Sequence, residues 1–432
     1  MARPTSRLDV SPAIRFSAGL ASAAIVGCVF ALFLLTSYSV PGELTIRLSF
    51  AVAVAAIAGL VLFALSQRYF LLSRPFVSVV AFIFIFVLVS LPAGLVSNEP
   101  SRHLGNLLFG VVGLAAGLSF AYWFCNANTS SRRAFYAVAA TAFLSVNAAF
   151  VWTQTPGTSE FSGILRDRNY FALYSVFLLW LSHYLRASGV LLLLVRGLLG
   201  LLVVLTGSVG GFLMLLAYIA WLVWVKGGEG CRRNVLGCFC VFSLGLVMVA
   251  GALVYSPAIE RADPIVTFLI DGEAPETGSF ARRLHQASEG LRLAKENPFV
   301  GLGYGSPQYE AETFAHYSQY SLHNTYLEIW AGAGLLALLV FGGVILLAVV
   351  VVMKGSVPLR GATLVGIASV ALFFLTYTAY HRLGPMALFG FIIFMAFSGS
   401  RRDPAPMGGC GAGMYGTADC QARSKDRMRK EL

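Results

Sequence analysis

Apolar residues run along this chain in long blocks separated by short polar stretches, many of them near the ~20 residues that a helix needs to cross a bilayer. A window of about 19 residues predicts spans near Ala18–Thr36, Thr45–Leu65, Phe76–Val96, Leu104–Phe124, Ala134–Val151 and Tyr170–Leu185. It continues with Val190–Thr206, Gly211–Val225, Val235–Tyr255, Tyr326–Met353, Leu359–Ala379 and Met386–Ser398. Segments of about ten residues with period-2 alternation, which mark an outer-membrane barrel, are absent. The first block is longer than the roughly 7–15 apolar residues of a signal peptide core, so it is read as a retained helix. The pattern predicts an all-α membrane protein, a polytopic bundle of about 12 transmembrane helices with one large, partly helical outer loop.

Composition agrees. The chain is 57% hydrophobic and 12% charged, against about 25% charged in ordinary soluble domains, which excludes a water-soluble enzyme. The net charge of +11 matters through its distribution. Most Lys and Arg, including Arg68, Arg74, Arg132, Arg133, Arg232, Arg233 and the C-terminal tail, fall on one side of the predicted spans. The positive-inside rule makes that side cytoplasmic, together with both termini. Basic residues are not interleaved with aromatics, so no nucleic-acid partner is expected. None of the 7 cysteines falls in an outer loop, which excludes a disulfide framework there.

The chain divides into N-terminal transmembrane helices over 1–255, an outer loop over 256–322, C-terminal helices over 323–398 and a Gly-, Pro- and charge-rich tail over 399–432, read as disordered. The loop carries nine acids against five bases. Long connections of this kind are usually functional. Within it, Ser279–Asn297 predicts a helix with Ser279 as a possible N-cap. Phe280, Leu284, Leu291 and Ala294 would form its apolar stripe, and Arg282, Gln286, Glu289 and Arg292 would lie on another face. Arg283 heads a row of small residues, Ala287–Gly290–Ala294, where another helix can approach closely. Asn297-Pro298 stops the helix and a glycine turn follows at 301–305.

Candidate chemistry concentrates on the outer side. Before the tail, Asp9 and Glu229 are the only inner acids, so the carboxylates that usually hold a divalent metal on a sugar nucleotide are missing there. Outside stand Arg166, Arg168 and Asn169 before the sixth span, Arg282 and Arg283 in the loop, and Arg382 beside His381. A guanidinium is permanently charged and matches a phosphate in a fork, so convergent arginines can hold a diphosphate without a metal. Ordinary loop charge is the competing reading. His323 opens the tenth span with Asn324, Tyr326 and Glu328 close behind; Asn324 and Glu328 are i,i+4 neighbours on a helix. An imidazole beside a carboxylate at a helix start can accept a proton from, or orient, a sugar hydroxyl; it can equally anchor the helix at the interface. Ala331-Gly332-Ala333-Gly334 reads as a close helix-packing surface. No spacing of His, Cys or carboxylates suggests a metal site, and no cofactor is expected.

Three blocks together resemble the O-antigen ligase and O-antigen polymerase superfamily of bacterial membrane glycosyltransferases. They are the run from Gly163 to Ala172 through Arg166, Arg168 and Asn169; Arg283 followed fifteen residues later by Pro298; and His323-Asn324-Thr325-Tyr326-Leu327-Glu328 with Ala331–Leu335 after it. By motif the resemblance covers 163–339. It implies a metal-independent, inverting transfer at the periplasmic face of the inner membrane. The donor would be an undecaprenyl-diphosphate-linked glycan and the acceptor a hydroxyl, on lipid A-core in a ligase or on a growing glycan in a polymerase. It also implies that His323 is the essential histidine and that Arg283 engages the donor diphosphate, with Arg166 or Arg168 as a second such arginine. Arg282, Asn169, Asn324, Tyr326, Glu328 and Arg382 are the further substrate-binding candidates. Two departures stand out: Val209 where the family often has arginine, and Ala287 where it often has tryptophan. A transporter of lipid-linked glycans is the rival from another class, but the halves show no internal repeat and charge inside the spans is scarce.

Overall fold

The structure, a computed structural model, describes residues 22–32, 34, 54, 57, 74–97, 99–153, 167–185, 189–228, 267–268, 270, 278–303, 322–354, 360–377 and 382–398. Its helices, in chain order, are α1 Ser22–Leu32, α2 Arg74–Val96, α3 Pro100–Asn126, α4 Thr129–Thr153, α5 Arg168–Ser182, α6 Val190–Leu205 and α7 Val209–Gly228. Then follow α8 Gly278–Glu296, α9 Thr325–Lys354, α10 Arg360–Thr376 and α11 Leu383–Ser398. No strand occurs among the described residues, as the all-α reading requires. The spans expected at Val235–Tyr255 and, apart from residues 54 and 57, at Thr45–Leu65 lie outside the described residues, as does the tail.

Three helical stretches, Phe76–Val96, Pro100–Asn126 and Thr325–Lys354, are long and apolar enough to cross a membrane. Shorter apolar helices surround them. α5 shows why length alone undercounts: from Tyr170 to Ser182 every residue is buried. A helix that is apolar all round belongs at the centre of a bundle. By contrast, α6 exposes Val190, Leu191, Leu193 and Leu194. An exposed leucine row on a helix whose backbone bonds are satisfied internally suits a lipid-facing position.

Helix starts follow local chemistry. Pro100 opens α3, where a missing N–H costs nothing. Asn128 caps α4 by accepting from Ser131 N at 2.8 Å. Asp167 caps α5, its Oδ1 accepting from Asn169 N at 2.8 Å. α3 and α11 then cross closely: a Cβ on Gly113 would meet Leu383 O at 2.7 Å, and one on Gly390 would meet Leu114 O at 2.4 Å. Small residues in register let two backbones touch where lipid supplies no hydrophobic drive between helices. Around this crossing Phe30, Phe124, Phe177 and Phe391 pack edge to face and tilted; Phe177 and Phe391 meet at 5.3 Å and 88°.

One expectation changes. Tyr326–Met353 was to be a single span, and Ala331–Gly334 a packing surface on it. Instead α9 breaks at Gly334, which has φ 85° and ψ 171°. Tyr326 and Phe341 lie on either side of the break with ring centroids 6.0 Å apart. On a straight helix their fifteen-residue separation would be about 22 Å at 1.5 Å rise per residue. The first arm therefore folds back on the second. The second arm, 335–354, is about 30 Å long by the same rise, one bilayer core by itself.

Candidate functional site

The backbone groups freed by the break are taken up by the turn that follows α8. Leu335 N, which an unbroken helix would pair with Ala331 O, donates to Pro298 O at 2.7 Å. Ala331 O and Gly332 O accept instead from Leu302 N and Gly303 N, both at 2.8 Å. Trp330 Nε1 adds a second donor to Pro298 O at 3.2 Å. Buried backbone groups need such partners, so the Pro298–Gly303 turn and the bend in α9 form as one unit. Gly334 sits in a backbone region open almost only to glycine, and a Cβ there would lie 2.0 Å from Phe299 O. Gly334→Ala should therefore cost more than the roughly 1–3 kcal/mol of backbone strain alone. The expected readout is a clear fall in the thermal unfolding midpoint in detergent. A midpoint equal to that of wild type would mean the bend does not form.

α8 is seated against the folded-back arm by the row of small residues. A Cβ on Gly290 would meet Leu322 Cδ1 at 2.7 Å. Leu293, Ala294, Leu322 and Ala331 form a small core of their own, with Leu302, Leu327 and Trp330 around it. The face expected to be apolar is only partly so, since Leu291 is exposed while Leu293 is buried. The face expected to be polar divides: Arg292 is exposed and pairs with Glu289 and Glu296 along its own helix, whereas Gln286 is 3% exposed.

This docking brings the loop arginines to the histidine. Arg283 is half-buried and Arg282 exposed. Burial, with the charges of Arg283 and then Arg282, lowers the His323 pKa from 6.5 to about 4. The ring is neutral at neutral pH, and its Nδ1 is buried without a hydrogen-bond partner among the described residues. His323 also has φ 48°, a left-handed backbone. His visits this region more readily than most side chains, but at a cost that surrounding structure must offset. Its neighbours do so on both sides. Glu328 Oε1 accepts from Leu322 N at 3.1 Å, and Asn324 Oδ1 accepts from Leu327 N at 3.1 Å as the helix cap. Thr325 is pinned to Tyr377 O through its N at 3.2 Å and its Oγ1 at 2.6 Å.

Tyr377 was not among the expected site residues. Its ring meets His323 edge to face at 5.4 Å and Tyr170 at 5.0 Å. Its hydroxyl donates to Asp167 Oδ2, the other oxygen of the carboxylate that caps α5. Beside Asp167, Asn169 Oδ1 accepts from Ser208 Oγ at 2.6 Å, and Ser208 Oγ accepts from Gly211 N at 3.1 Å to start α7. Thus the starts of α5, α7 and α9 and the end of α10 meet at one end of the bundle. Arg168, half-buried, is the first residue of α5 there. The N-cap role of Asp167 was readable from an Asp three residues before the apolar run. Nothing in the sequence announces Tyr377, which lies 210 residues from Asp167.

Other expected site residues are placed as follows. The Tyr326 hydroxyl donates to Ala371 O at 3.2 Å and its ring packs on Phe341 and Phe374, inside the bundle. Arg382 is half-buried at the start of α11, where its carbonyl accepts from Met386 N at 3.2 Å. Arg166 and His381 lie outside the described residues.

The described residues form an all-helical architecture with helices long and apolar enough to span a membrane and a polar site where α8 docks against the broken α9. Residues 189–342 match the family described as O-antigen ligase. The match supports the O-antigen ligase and polymerase superfamily, and it runs from α6 into the second arm of α9, including Arg283 and His323. The block from Gly163 to Ala172 lies outside it. No curated protein matches the chain.

Proposed function

We propose that this protein transfers a glycan from an undecaprenyl-diphosphate carrier to an acceptor hydroxyl at the periplasmic face of the bacterial inner membrane, as a metal-independent, inverting glycosyltransferase of the O-antigen ligase type. The observation that carries the reading is the neutral, half-buried His323, its Nδ1 buried, standing in the field of Arg283 and Arg282, inside the segment that matches the family. Arginines facing a leaving diphosphate stabilise the charge that develops on it. The acceptor hydroxyl approaches His323, whose free Nδ1 accepts its proton or its hydrogen bond. An imidazole whose pKa lies near 4 is a weak base. An arriving diphosphate offsets the two guanidinium charges and so raises that pKa, which strengthens the base only when the donor is present. Burial, the larger cause, persists.

The acceptor is proposed to be lipid A-core. The lipid-linked glycan that accumulates in a strain lacking the protein tests this. Long polymer on the lipid carrier is the expected result; single repeat units would make the protein a polymerase, and glycan trapped at the cytoplasmic face would make it a flippase. The outer placement of α8 has its own test. Ser288 is exposed on α8, and a Ser288→Cys protein should react with a membrane-impermeant thiol reagent in intact spheroplasts. Reaction only after lysis would reverse the orientation.

A further inference from the structure

Gln286 is a buried amide with no assigned role. It is 3% exposed, and its Oε1 finds no hydrogen-bond partner among the described residues. Leaving a buried acceptor unsatisfied is unfavourable, and replacing it by an apolar group of similar shape is commonly neutral or stabilising. An orphan acceptor in a folded site is therefore a candidate for a donor that arrives with a ligand.

Its position says which ligand. Gln286 stands one helical turn after Arg282 and Arg283, on the side of α8 that faces the folded-back arm of α9, since Gly290, a further turn on, touches Leu322. His323 is the next residue. The side chains of Arg283 and Gln286, at i and i+3, are about 5–6 Å apart at Cβ. That is roughly the reach from a diphosphate to a hydroxyl of the sugar it carries. Resting on the function proposed above, we propose that Gln286 Oε1 accepts a hydrogen bond from a hydroxyl of the donor sugar next to the diphosphate, so that Arg283 holds the phosphates and Gln286 recognises that a glycan is attached. A site built around such a bond rejects ligands that lack the hydroxyl, because its own buried group is then left unpaired.

The test compares two probes with the purified full-length protein in nanodiscs: undecaprenyl diphosphate alone, and the glycan-bearing lipid extracted from a strain lacking the protein. Wild type is expected to bind the glycan-bearing lipid more tightly. Gln286→Met and the shortened amide Gln286→Asn should each lose about tenfold on that lipid, the size of one hydrogen bond, and keep wild-type affinity for the bare diphosphate. The unfolding midpoint of Gln286→Met should be unchanged or higher. Wild-type affinity of both variants for both probes overturns the inference, as does an equal loss on both, which marks a structural role. If wild type binds the two probes equally, no sugar is recognised and the inference falls while the diphosphate reading stands. If wild type binds neither, the proposed function itself falls.

Discussion

Replacing His323 with alanine should abolish glycan transfer while the protein inserts in the membrane at normal abundance. General-base contributions are typically 10²–10⁴-fold, so a loss well below tenfold would remove the base from the mechanism. His323→Gln separates the two roles of the ring. An amide can hydrogen-bond an acceptor hydroxyl but cannot usefully take its proton. Restoration of activity by glutamine would mean the residue orients the acceptor and the arginines supply most of the barrier reduction. The pH profile gives an independent reading. With the pKa lowered from 6.5 to about 4 by burial and by Arg283 and Arg282, the ring of the free enzyme stays neutral as pH falls through 6.5. The expected kcat/KM is flat from pH 8 to 5 and falls only toward 4. Below pH 6.5 the unfolded chain takes up a proton that the folded chain refuses, so the same burial costs stability as pH drops from 6.5 toward about 4. A profile that breaks at pH 6.5 would show the ring to be solvated in solution.

Arg283→Lys should lose much of the activity although it keeps the charge. A lysine is a point charge that cannot grip two phosphate oxygens in a fork. Removing one preorganised donor to a developing oxyanion commonly costs about 10²–10³-fold in kcat, and a loss of that order is expected. Surface glycan at equal expression, followed by purified kinetics, is the measurement. A lysine variant equal to wild type would mean that Arg283 only balances loop charge. Arg283→Gln is expected to do one thing more: with a positive neighbour gone, the His323 pKa rises and the low-pH fall in kcat/KM moves to higher pH. Arg282, exposed and the smaller influence on His323, should show both effects more weakly.

The helices themselves were legible. Phe76–Val96 was expected and is found, and the breaks before Val190 and Val209 fall within two residues of where Gly189 and Gly207–Gly211 interrupt the apolar runs. α8 was expected at Ser279–Asn297 and forms at Gly278–Glu296. Arg283 and His323 each stood out in a block that resembles the family, but that their charges reach one another follows from the docking of α8. The small-residue row Ala287–Gly290–Ala294 was legible as a face for close helix approach, and Gly290 and Ala294 do pack there. What spacing could not express was that Gln286 goes inside with them while Leu291, drawn in the apolar stripe, stays exposed.

The sequence by itself determined that the chain is helical and apolar enough to span a membrane, where its described helices lie to within a few residues, and which arginines and histidine stand outside the apolar blocks. Hydrophobic length, caps and breakers are local quantities, and local quantities survive in one dimension. The tertiary structure alone decided the rest. A run from Thr325 to Lys354 looks like one uninterrupted helix until Pro298 O and the amides of Leu302 and Gly303 compete for its backbone partners at Gly334. Tyr377 becomes a neighbour of His323 and Asp167 only because α5, α9 and α10 end together. The neutral state of His323 likewise depends on burial and on two charges from another helix. Each of these is a contact between segments far apart in the chain, where the alternative partner of every buried polar group is supplied by packing and not by sequence neighbours.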